Sequence, residues 1–431
     1  MKAKVSFYTF GCRLNQAETA TLQRSFEKEG YCIVDFQQPA DVVVVNTCTV
    51  TENGDADTRK LVNKINRRQP SARIALIGCQ AQIQRESLFD LPNVRWVIGN
   101  SRKMEFARIL DRHLDEKKPA LITPVITRES FTHPVAGIDR QHTRANLKIQ
   151  DGCDFFCSFC VIPYARGRAR SREFNDLINE AEELVGAGHR EIVLTGINIG
   201  TYHYRDKSLV DVINALERIS GLERIRISSI ELTTICPQIL ERMKKGQKLC
   251  RYLHIPLQSG SNEILSAMNR RYRVEEFTDF LELAERLIPD VCIGTDVIVG
   301  FPGETEEHFR ETYRLLLDLP LAYFHVFSYS ERPWTKSRKI ENKIGREEIE
   351  RRSRLLRELS FRKRQTFLHE RVGTDQIVLF EQLKKGWWSG LTDTYIRVKV
   401  QSDEDLGNRI RSVRIRNVEG KSVIGELLRS N

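Results

Sequence analysis

A cysteine-rich run lies near the middle of the chain and reads Gln150-Asp151-Gly152-Cys153-Asp154-Phe155-Phe156-Cys157-Ser158-Phe159-Cys160. Its cysteines have the spacing C-x-x-x-C-x-x-C, and three thiolates on one short loop can each ligate one iron of a cubic iron–sulfur cluster. A 4Fe-4S cube has four irons, so one iron stays open to a small molecule unless a distant residue supplies a fourth ligand. We therefore predict a reactive cluster at Cys153, Cys157 and Cys160, with Phe159 and the neighbouring phenylalanines as its apolar shell.

The run has two simpler interpretations, a zinc knuckle and three unrelated buried thiols. Structural zinc sites usually have a complete tetrahedral ligand set, commonly built from two close pairs of ligands. The sequence has no second cysteine pair and no His-x-x-x-His nearby. We therefore favour a cluster over zinc.

The loop formed by Cys153, Cys157 and Cys160 resembles the signature of the radical S-adenosylmethionine superfamily. The resemblance implies that the amino and carboxylate groups of S-adenosylmethionine chelate the open iron. It also implies that reductive cleavage of this cofactor yields methionine and a 5'-deoxyadenosyl radical. We therefore expect S-adenosylmethionine to bind beside the loop.

Three further cysteines, Cys12, Cys48 and Cys79, each follow a predicted strand in residues 1–100. The strands alternate with helix-length polar segments, which predicts an open α/β domain with a parallel sheet. The carboxyl ends of parallel strands meet at one edge, where such folds bind ligands, so we predict a second cluster there. The alternative is that the three cysteines are buried independently. We predict ordinary buried thiols for the other four cysteines, Cys32, Cys236, Cys250 and Cys292.

A second α/β series begins near residue 146 and contains six predicted strands. They span residues 146–149, 191–194, 224–228, 251–255, 292–299 and 323–327. This alternation fits an incomplete (β/α)6 barrel, whose active site forms from loops that follow the strands. Residues near those strand ends suit the amine, ribose and adenine of the cofactor, although glycine and serine are also ordinary turn residues. The candidate contacts are Phe159, Gly196, Ser229, Glu231 and Gln258.

Length and charge limit the class of protein. The chain has 431 residues, which predicts two or three domains, and its net charge of +10 favours a polyanionic partner. No apolar run approaches the roughly 18–20 residues of a membrane span, and ten irregularly spaced cysteines do not resemble a disulfide framework. We expect a cytoplasmic monomer without membrane association.

Four arginines at alternate positions follow the cluster loop: Arg166, Arg168, Arg170 and Arg172. Guanidinium groups bind phosphates through two parallel hydrogen bonds. The segment is therefore a candidate for holding an RNA backbone beside the reaction site. The alternative is a solvated segment that leads into a helix.

Short strands with glycine turns in the last sixty or so residues predict a small β-barrel. Trp387 and Trp388 lie there among several lysines. Base stacking combined with phosphate attraction is how such barrels hold single-stranded RNA. These tryptophans could equally form the core of the barrel.

The whole chain is similar to the methylthiotransferase family. The matching strings are Gly11-Cys12-Arg13-Leu14-Asn15-Gln16, Asn46-Thr47-Cys48-Thr49-Val50-Thr51, Gly78-Cys79-Gln80-Ala81-Gln82, Leu257-Gln258-Ser259-Gly260-Ser261 and Asp296-Val297-Ile298-Val299-Gly300-Phe301-Pro302-Gly303-Glu304-Thr305. The resemblance implies a cluster domain at 1–100, a connector at 101–142, a radical S-adenosylmethionine barrel with a helical linker at 143–370 and a TRAM RNA-binding domain at 371–431. It also implies two 4Fe-4S clusters, one that generates the radical and one, at Cys12, Cys48 and Cys79, that carries the inserted sulfur.

Within this family, the residues 11–18 and 324–330 resemble the MtaB-type branch, although Arg13 replaces a favoured lysine and Trp334 a frequent glycine. That branch converts N6-threonylcarbamoyladenosine at position 37 of tRNA into its 2-methylthio derivative. The resemblance implies the tRNA anticodon loop and a reductant such as flavodoxin or ferredoxin as partners, with the sulfur donor unknown. The alternatives are action on isopentenyladenosine in tRNA or on a ribosomal-protein aspartate, and a non-catalytic RNA-binding iron–sulfur sensor.

Overall fold

The computed structural model describes residues 2–113, 118–133, 137, 142–246 and 248–428. The chain begins with a parallel α/β sheet. Its strands are β1 (Lys4–Thr9), β2 (Cys32–Ile33), β3 (Val42–Thr47), β4 (Arg73–Gly78), β5 (Val94–Ile98) and β6 (Ala120–Ile122). Its helices are α1 (Arg13–Lys28), α2 (Glu52–Arg68), α3 (Cys79–Gln84) and α4 (Phe106–His113). The strands are all parallel and have the order β2-β1-β3-β4-β5-β6.

Strand β3 shows why this sheet is covered on both faces. Val42 and Val44 pack into one apolar cluster with residues of α1 and α4, whereas Val43 and Val45 pack into another with residues of α2. A strand buried on both faces is expected to be a continuous apolar run rather than an alternating one. The four consecutive valines therefore specify a central strand of a three-layer domain.

The second α/β series forms a partial barrel. Its strands are β7 (Ala145–Lys148), β8 (Gln150–Asp151), β9 (Arg170–Ser171), β10 (Glu191–Thr195), β11 (His203–Tyr204), β12 (Lys207–Ser208), β13 (Arg224–Ile227), β14 (Tyr252–His254), β15 (Cys292–Val299) and β16 (Tyr323–Ser328). Its helices are α5 (Ile162–Arg166), α6 (Phe174–Gly186), α7 (Leu209–Glu217), α8 (Pro237–Lys244), α9 (Asn262–Ala267), α10 (Val274–Leu287) and α11 (Glu306–Asp318).

Six parallel strands line the barrel as two sheets of three. One sheet has the order β13-β10-β7 and the other β14-β15-β16. Parallel bridges from Ile225 to Leu249 and from Ser229 to His254 join the sheets side by side. The partial (β/α)6 barrel predicted from the sequence is confirmed.

The long helix α12 (Arg346–His369) leads from the partial barrel to a closed β-barrel. That barrel consists of β17 (Asp375–Lys384), β18 (Trp387–Thr392), β19 (Arg397–Val400), β20 (Ile410–Glu419) and β21 (Ser422–Leu427). The strands have the order β17-β18-β19-β21-β20, and closure leaves no unpaired edge. The small β-barrel was predicted, but its last strand was not.

The predicted connector is only partly described, because Pro134 and most of its neighbours up to residue 141 lie outside the described residues. Within the range of the connector, β6 pairs with β5 and extends the first sheet. The domain limits predicted from the sequence therefore stay proposals. No helix in the described part of the chain is both long enough and apolar enough to span a bilayer.

Candidate functional site

The cysteines of the predicted N-terminal site lie at the carboxyl edge of the first sheet. Cys12 precedes α1, Cys48 follows β3 and Cys79 begins α3. Gly11 has a φ of 88°, and a Cβ atom there would lie 2.9 Å from the Cβ of Cys48. Glycine therefore allows the loop that carries Cys12 to approach Cys48. Burial, together with the negative charge of the neighbouring Cys79 and Cys12 thiolates, raises the pKa of Cys48 to about 11.

The cysteines of the central run form a second group on the loop between β8 and α5. Gly152, with a φ of 71°, opens this loop, and a Cβ atom there would lie 2.0 Å from the backbone oxygen of Arg168. Burial and the neighbouring Cys157 thiolate raise the pKa of Cys160 to about 12. Burial likewise raises the pKa of Cys153 to about 11, with Cys157 again adding to the shift.

Both groups have donors that suit an iron–sulfur cluster. All ten cysteines are free thiols, and within each group burial and neighbouring thiolates oppose ionisation. The thiolate is the form that ligates iron. The cationic iron core of a cluster relieves the repulsion among three thiolates that ligate it. The donors of each cysteine group therefore suit a 4Fe-4S cube in which one iron has no protein ligand.

The two groups are neighbours in the structure. Cys79 packs in one apolar cluster with Val161, which directly follows Cys160, and with Ala165 of α5. The Nδ2 of Asn100 donates to the backbone oxygen of Ala165 at 2.7 Å and lies 3.5 Å from the Sγ of Cys79. A single buried amide therefore contacts both the N-terminal group and the segment that follows the central group.

Arg166 lies between the groups and is not available to bind RNA. Its Nη1 donates to Glu18 and to Asp151, both at 3.0 Å, and the side chain is 1% exposed. Lys148 donates to the same two carboxylates at 2.7 and 2.8 Å. Burial alone would raise the pKa of Glu18, but Arg166 and two buried lysines hold it well below its ordinary value. These residues therefore form a buried ionic network between the two cysteine groups.

The other arginines of this segment differ in exposure. Arg172 is buried in ion pairs with two carboxylates of α6, and Arg170 pairs with Asp151 at 3.0 Å. The side chain of Arg168 is 42% exposed. The RNA-binding prediction is wrong for Arg166 and Arg172, because both side chains are buried and their donors already bind carboxylates. Arg168 stays a candidate, and Arg170 is largely covered.

A cavity of about 210 Å³ lies beside the central cysteine group. Phe159 and Gln258, two candidate cofactor contacts, line it together with Cys160. Gln258 has a φ of 73°, a left-handed conformation that is uncommon for residues other than glycine. The strained backbone at Gln258 is consistent with a role at a binding site.

A second cavity, of about 410 Å³, reaches the N-terminal cysteine group. It is lined by Cys12 and by two further candidate contacts, Gly196 and Ser229. Asp296 and Phe327 line both this cavity and the smaller one. The two cavities therefore adjoin, with one cysteine group represented in each.

Glu231, the remaining candidate contact, is paired with an arginine that the sequence did not single out. Arg270 donates to Oε1 of Glu231 at 3.1 Å and to the Sγ of Cys157 at 3.2 Å. Glu231 therefore holds Arg270 against a predicted cluster ligand. Nothing in the local sequence of Arg270 indicates this role, because its partners are 39 and 113 residues away.

Three polar residues in the larger cavity were also not predicted to act together. His254, Asp296 and His325 come from the neighbouring strands β14, β15 and β16, and their nitrogen and oxygen ligand atoms lie within 4.8 Å of one another. The Nδ1 of His254 shares a hydrogen bond of 3.0 Å with the hydroxyl of Ser229. These residues give the cavity a polar wall.

The two tryptophans of the closed barrel have different environments. Trp388 is 8% exposed and packs in the barrel core, so burial corrects its predicted RNA contact. Trp387 is half-buried and stays a candidate for base stacking. Tyr395, in the loop between β18 and β19, instead reaches the larger cavity beside Cys12. The closed barrel therefore contributes directly to the candidate site.

Sequence comparisons match both α/β parts of the chain. Residues 147–316 match the Radical SAM superfamily, and residues 4–99 match a family described as uncharacterized protein family UPF0004. The chain is 37% identical to the threonylcarbamoyladenosine tRNA methylthiotransferase MtaB of Aquifex aeolicus, over 95% of this chain and 99% of that one. It is 36% identical to the MtaB of Bacillus subtilis, over 96% and 94%. It is 30% identical to a tRNA-2-methylthio-N(6)-dimethylallyladenosine synthase of Protochlamydia amoebophila, over 97% and 95%.

A solved structure shares the fold. The radical S-adenosylmethionine methyltransferase TsrM of Kitasatospora setae, solved with cobalamin and a [4Fe-4S] cluster, superposes with a TM-score of 0.58. The match covers 78% of this chain and 77% of that chain at 17% sequence identity. An identity this low indicates a common fold only.

Proposed function

We propose a function from the premise that the chain belongs to the methylthiotransferase family of radical S-adenosylmethionine enzymes, in which it most resembles the MtaB type. Membership implies a 4Fe-4S cluster and S-adenosylmethionine. Our proposal is that this enzyme converts N6-threonylcarbamoyladenosine at position 37 of tRNA into its 2-methylthio derivative in the cytoplasm. A second cluster at Cys12, Cys48 and Cys79 is part of the proposal.

The observation that carries the proposal is that two cysteine trios border adjoining cavities. Cys160 lines one cavity, Cys12 lines the other, and Asp296 belongs to both. A methylthiotransferase must bring a radical source and a sulfur carrier to the same carbon atom. Close placement of two sites is what such a reaction requires.

A side-chain acid or base is not sufficient to catalyse the proposed reaction. Carbon 2 of adenine has a strong C–H bond, and such bonds are opened by radical cofactors. When bound, one cluster supplies the electron that cleaves S-adenosylmethionine to a 5'-deoxyadenosyl radical, and the other supplies the sulfur. The chain itself holds the base between the two cavities and keeps water away. Phe159 and Phe327 provide apolar walls for this purpose.

The lining of the larger cavity favours a polar substituent on the adenine. Arg13, Arg226, His254 and His325 all line it, together with Asp296. An isopentenyl group is wholly apolar and offers no hydrogen-bond partner to this polar lining, so placing it there is unfavourable. A threonylcarbamoyl group has a carboxylate, a hydroxyl and a urea, each of which can hydrogen-bond. This polarity supports the threonylcarbamoyl substrate over the isopentenyl one.

The proposed reaction requires an RNA substrate and a source of electrons. The tRNA anticodon loop is the substrate, and Arg168 and Trp387 are proposed contacts to it. A reductant such as flavodoxin or ferredoxin supplies electrons, and the enzyme acts as a monomer. The net charge of +10 is consistent with a polyanionic substrate.

The test uses the anaerobically purified, cluster-loaded enzyme with reductant and S-adenosylmethionine. We expect 2-methylthio product from tRNA that bears N6-threonylcarbamoyladenosine, together with release of 5'-deoxyadenosine, both measured by mass spectrometry. If only the tRNA that bears isopentenyladenosine yields product, the enzyme belongs to the branch that acts on isopentenyladenosine. A sensor would release no 5'-deoxyadenosine with any substrate.

A further inference from the structure

Three arginines surround the ring of Tyr395 at the larger cavity. The guanidinium carbons of Arg13, Arg144 and Arg226 lie 5.6, 6.0 and 5.3 Å from the ring centroid. They come from α1, from the segment before β7 and from β13, whereas Tyr395 comes from the closed barrel. Three parts of the chain therefore converge on one cationic corner of the cavity.

Two of these arginines form ion pairs with glutamates, each of which also pairs with a further arginine. Arg226 donates to Oε1 of Glu191 at 2.7 Å, and Arg144 donates to Oε1 of Glu381 at 2.8 Å. These ion pairs occupy the charges of Arg226 and Arg144 inside the protein. The third arginine differs from them in its partners.

Arg13 has no carboxylate partner among the described residues. Its Nη2 donates to the hydroxyl of Tyr395 at 2.6 Å, and the guanidinium lines the cavity directly after Cys12. Asp296, an acid that lines the same cavity, instead lies 3.3 Å from His254. The cavity therefore contains an arginine that has no ion-pair partner among the described residues.

The positive charge of these three arginines also affects the pKa of Tyr395. Burial alone would raise the pKa of the phenol, yet Arg13, Arg144 and Arg226 outweigh burial and lower it below its ordinary value. A corner that favours a phenolate favours other anions as well. Charge-assisted hydrogen bonds to a carboxylate are among the strongest that such a corner can form.

We propose that Arg13, oriented by Tyr395, binds the carboxylate of the N6 substituent on the substrate adenine and so determines which modified tRNA is accepted. The inference rests on the proposed function, because it assigns the anion to the threonylcarbamoyl group. It makes Arg13 a specificity-determining residue and Tyr395 a positioning residue. An RNA backbone phosphate has similar chemistry, so the test has to separate the two anions.

The test compares two anticodon stem-loop RNAs of one sequence, one with N6-threonylcarbamoyladenosine and one with the carboxylate of that group converted to an amide. Binding to the cluster-loaded enzyme is measured by fluorescence anisotropy. We expect the wild-type protein to bind the carboxylate RNA roughly tenfold more tightly, which is what one charged hydrogen bond contributes. Arg13→Gln should abolish this preference without changing the affinity for the amide RNA, and Arg13→Lys should keep most of it.

Controls make the result specific. Tyr395→Phe should reduce the preference two- to threefold, because Arg13 loses the hydroxyl that orients it. Arg310→Gln changes an exposed arginine of α11 and should leave both affinities unchanged. If Arg13→Gln weakens both RNAs equally, Arg13 binds a phosphate and the inference is wrong. If wild-type protein methylthiolates the threonylcarbamoyl RNA but does not distinguish the amide, the inference fails while the proposed function stands.

Discussion

The Nη1 nitrogen of Arg166 lies 3.0 Å from the Oε1 oxygen of Glu18, and both side chains are buried. Arg166 ends the helix that follows Cys160, and Glu18 lies on the helix that follows Cys12. The pair therefore joins the two cysteine groups through a contact between residues 148 positions apart. This buried ion pair therefore connects the two helices that follow the cysteine groups.

Removing the charge of Glu18 should break this ion pair. Glu18→Gln removes the carboxylate that pairs with Lys103, whereas Arg166 and Lys148 keep Asp151, and an uncompensated buried charge costs about 3–5 kcal/mol. We expect a clearly lower urea midpoint in anaerobic unfolding followed by circular dichroism. Glu27→Gln is the matched control, since Glu27 lies on the same helix and forms an exposed pair with Arg24 worth about 1 kcal/mol or less. Equal midpoints for the two variants would contradict a structural role for Glu18.

Variants of the two cysteine trios should separate the proposed roles. Cys157→Ala and Cys48→Ala should each halve the iron, from about eight to about four atoms per chain, because each cube holds four. Cys157→Ala should also abolish release of 5'-deoxyadenosine and formation of product. Cys48→Ala should retain some release but form no methylthiolated product. Iron analysis and mass spectrometry measure these outcomes.

The control for the cysteine variants is Cys236→Ala, which removes a thiol outside both trios. It should retain all the iron and both activities. Normal product from Cys48→Ala would show that the N-terminal trio does not carry the inserted sulfur.

The strands and the cysteine positions could be predicted because they depend on local pattern. The valine run of β3 and the apolar segments of the partial barrel identify buried strands, and each N-terminal cysteine follows one of them. The residues that surround the cysteines could not be predicted in the same way. Arg166 belongs to an alternating arginine segment that suggests an exposed RNA contact, but its carboxylate partner Glu18 is distant in sequence. Tyr395 reaches the cavity only because the closed barrel packs beside it.

Arg270 should tune the central cluster through its hydrogen bond to Cys157. Donors to a ligating sulfur stabilise the reduced, more negative cluster and so raise its reduction potential. Arg270→Gln should therefore lower the midpoint potential measured by electron paramagnetic resonance during redox titration. Glu231→Gln keeps the arginine and removes a negative charge near the cysteine ligands, so it should not reproduce this decrease. An unchanged potential in Arg270→Gln would mean that the 3.2 Å contact to the Sγ of Cys157 does not act on the cluster.

The adjacent tryptophans of β18 should respond oppositely to substitution. Trp388 packs in the core of the closed barrel, so Trp388→Ala should cost about 3–5 kcal/mol in the stability of that barrel. Trp387 is only half-buried, and Trp387→Ala should leave the thermal midpoint nearly unchanged. If Trp387 stacks on an RNA base, its loss should weaken binding of the anticodon stem-loop by about 1–3 kcal/mol. Anisotropy titration of both variants at one salt concentration measures this, and an unchanged affinity in Trp387→Ala would exclude that tryptophan from the RNA contact.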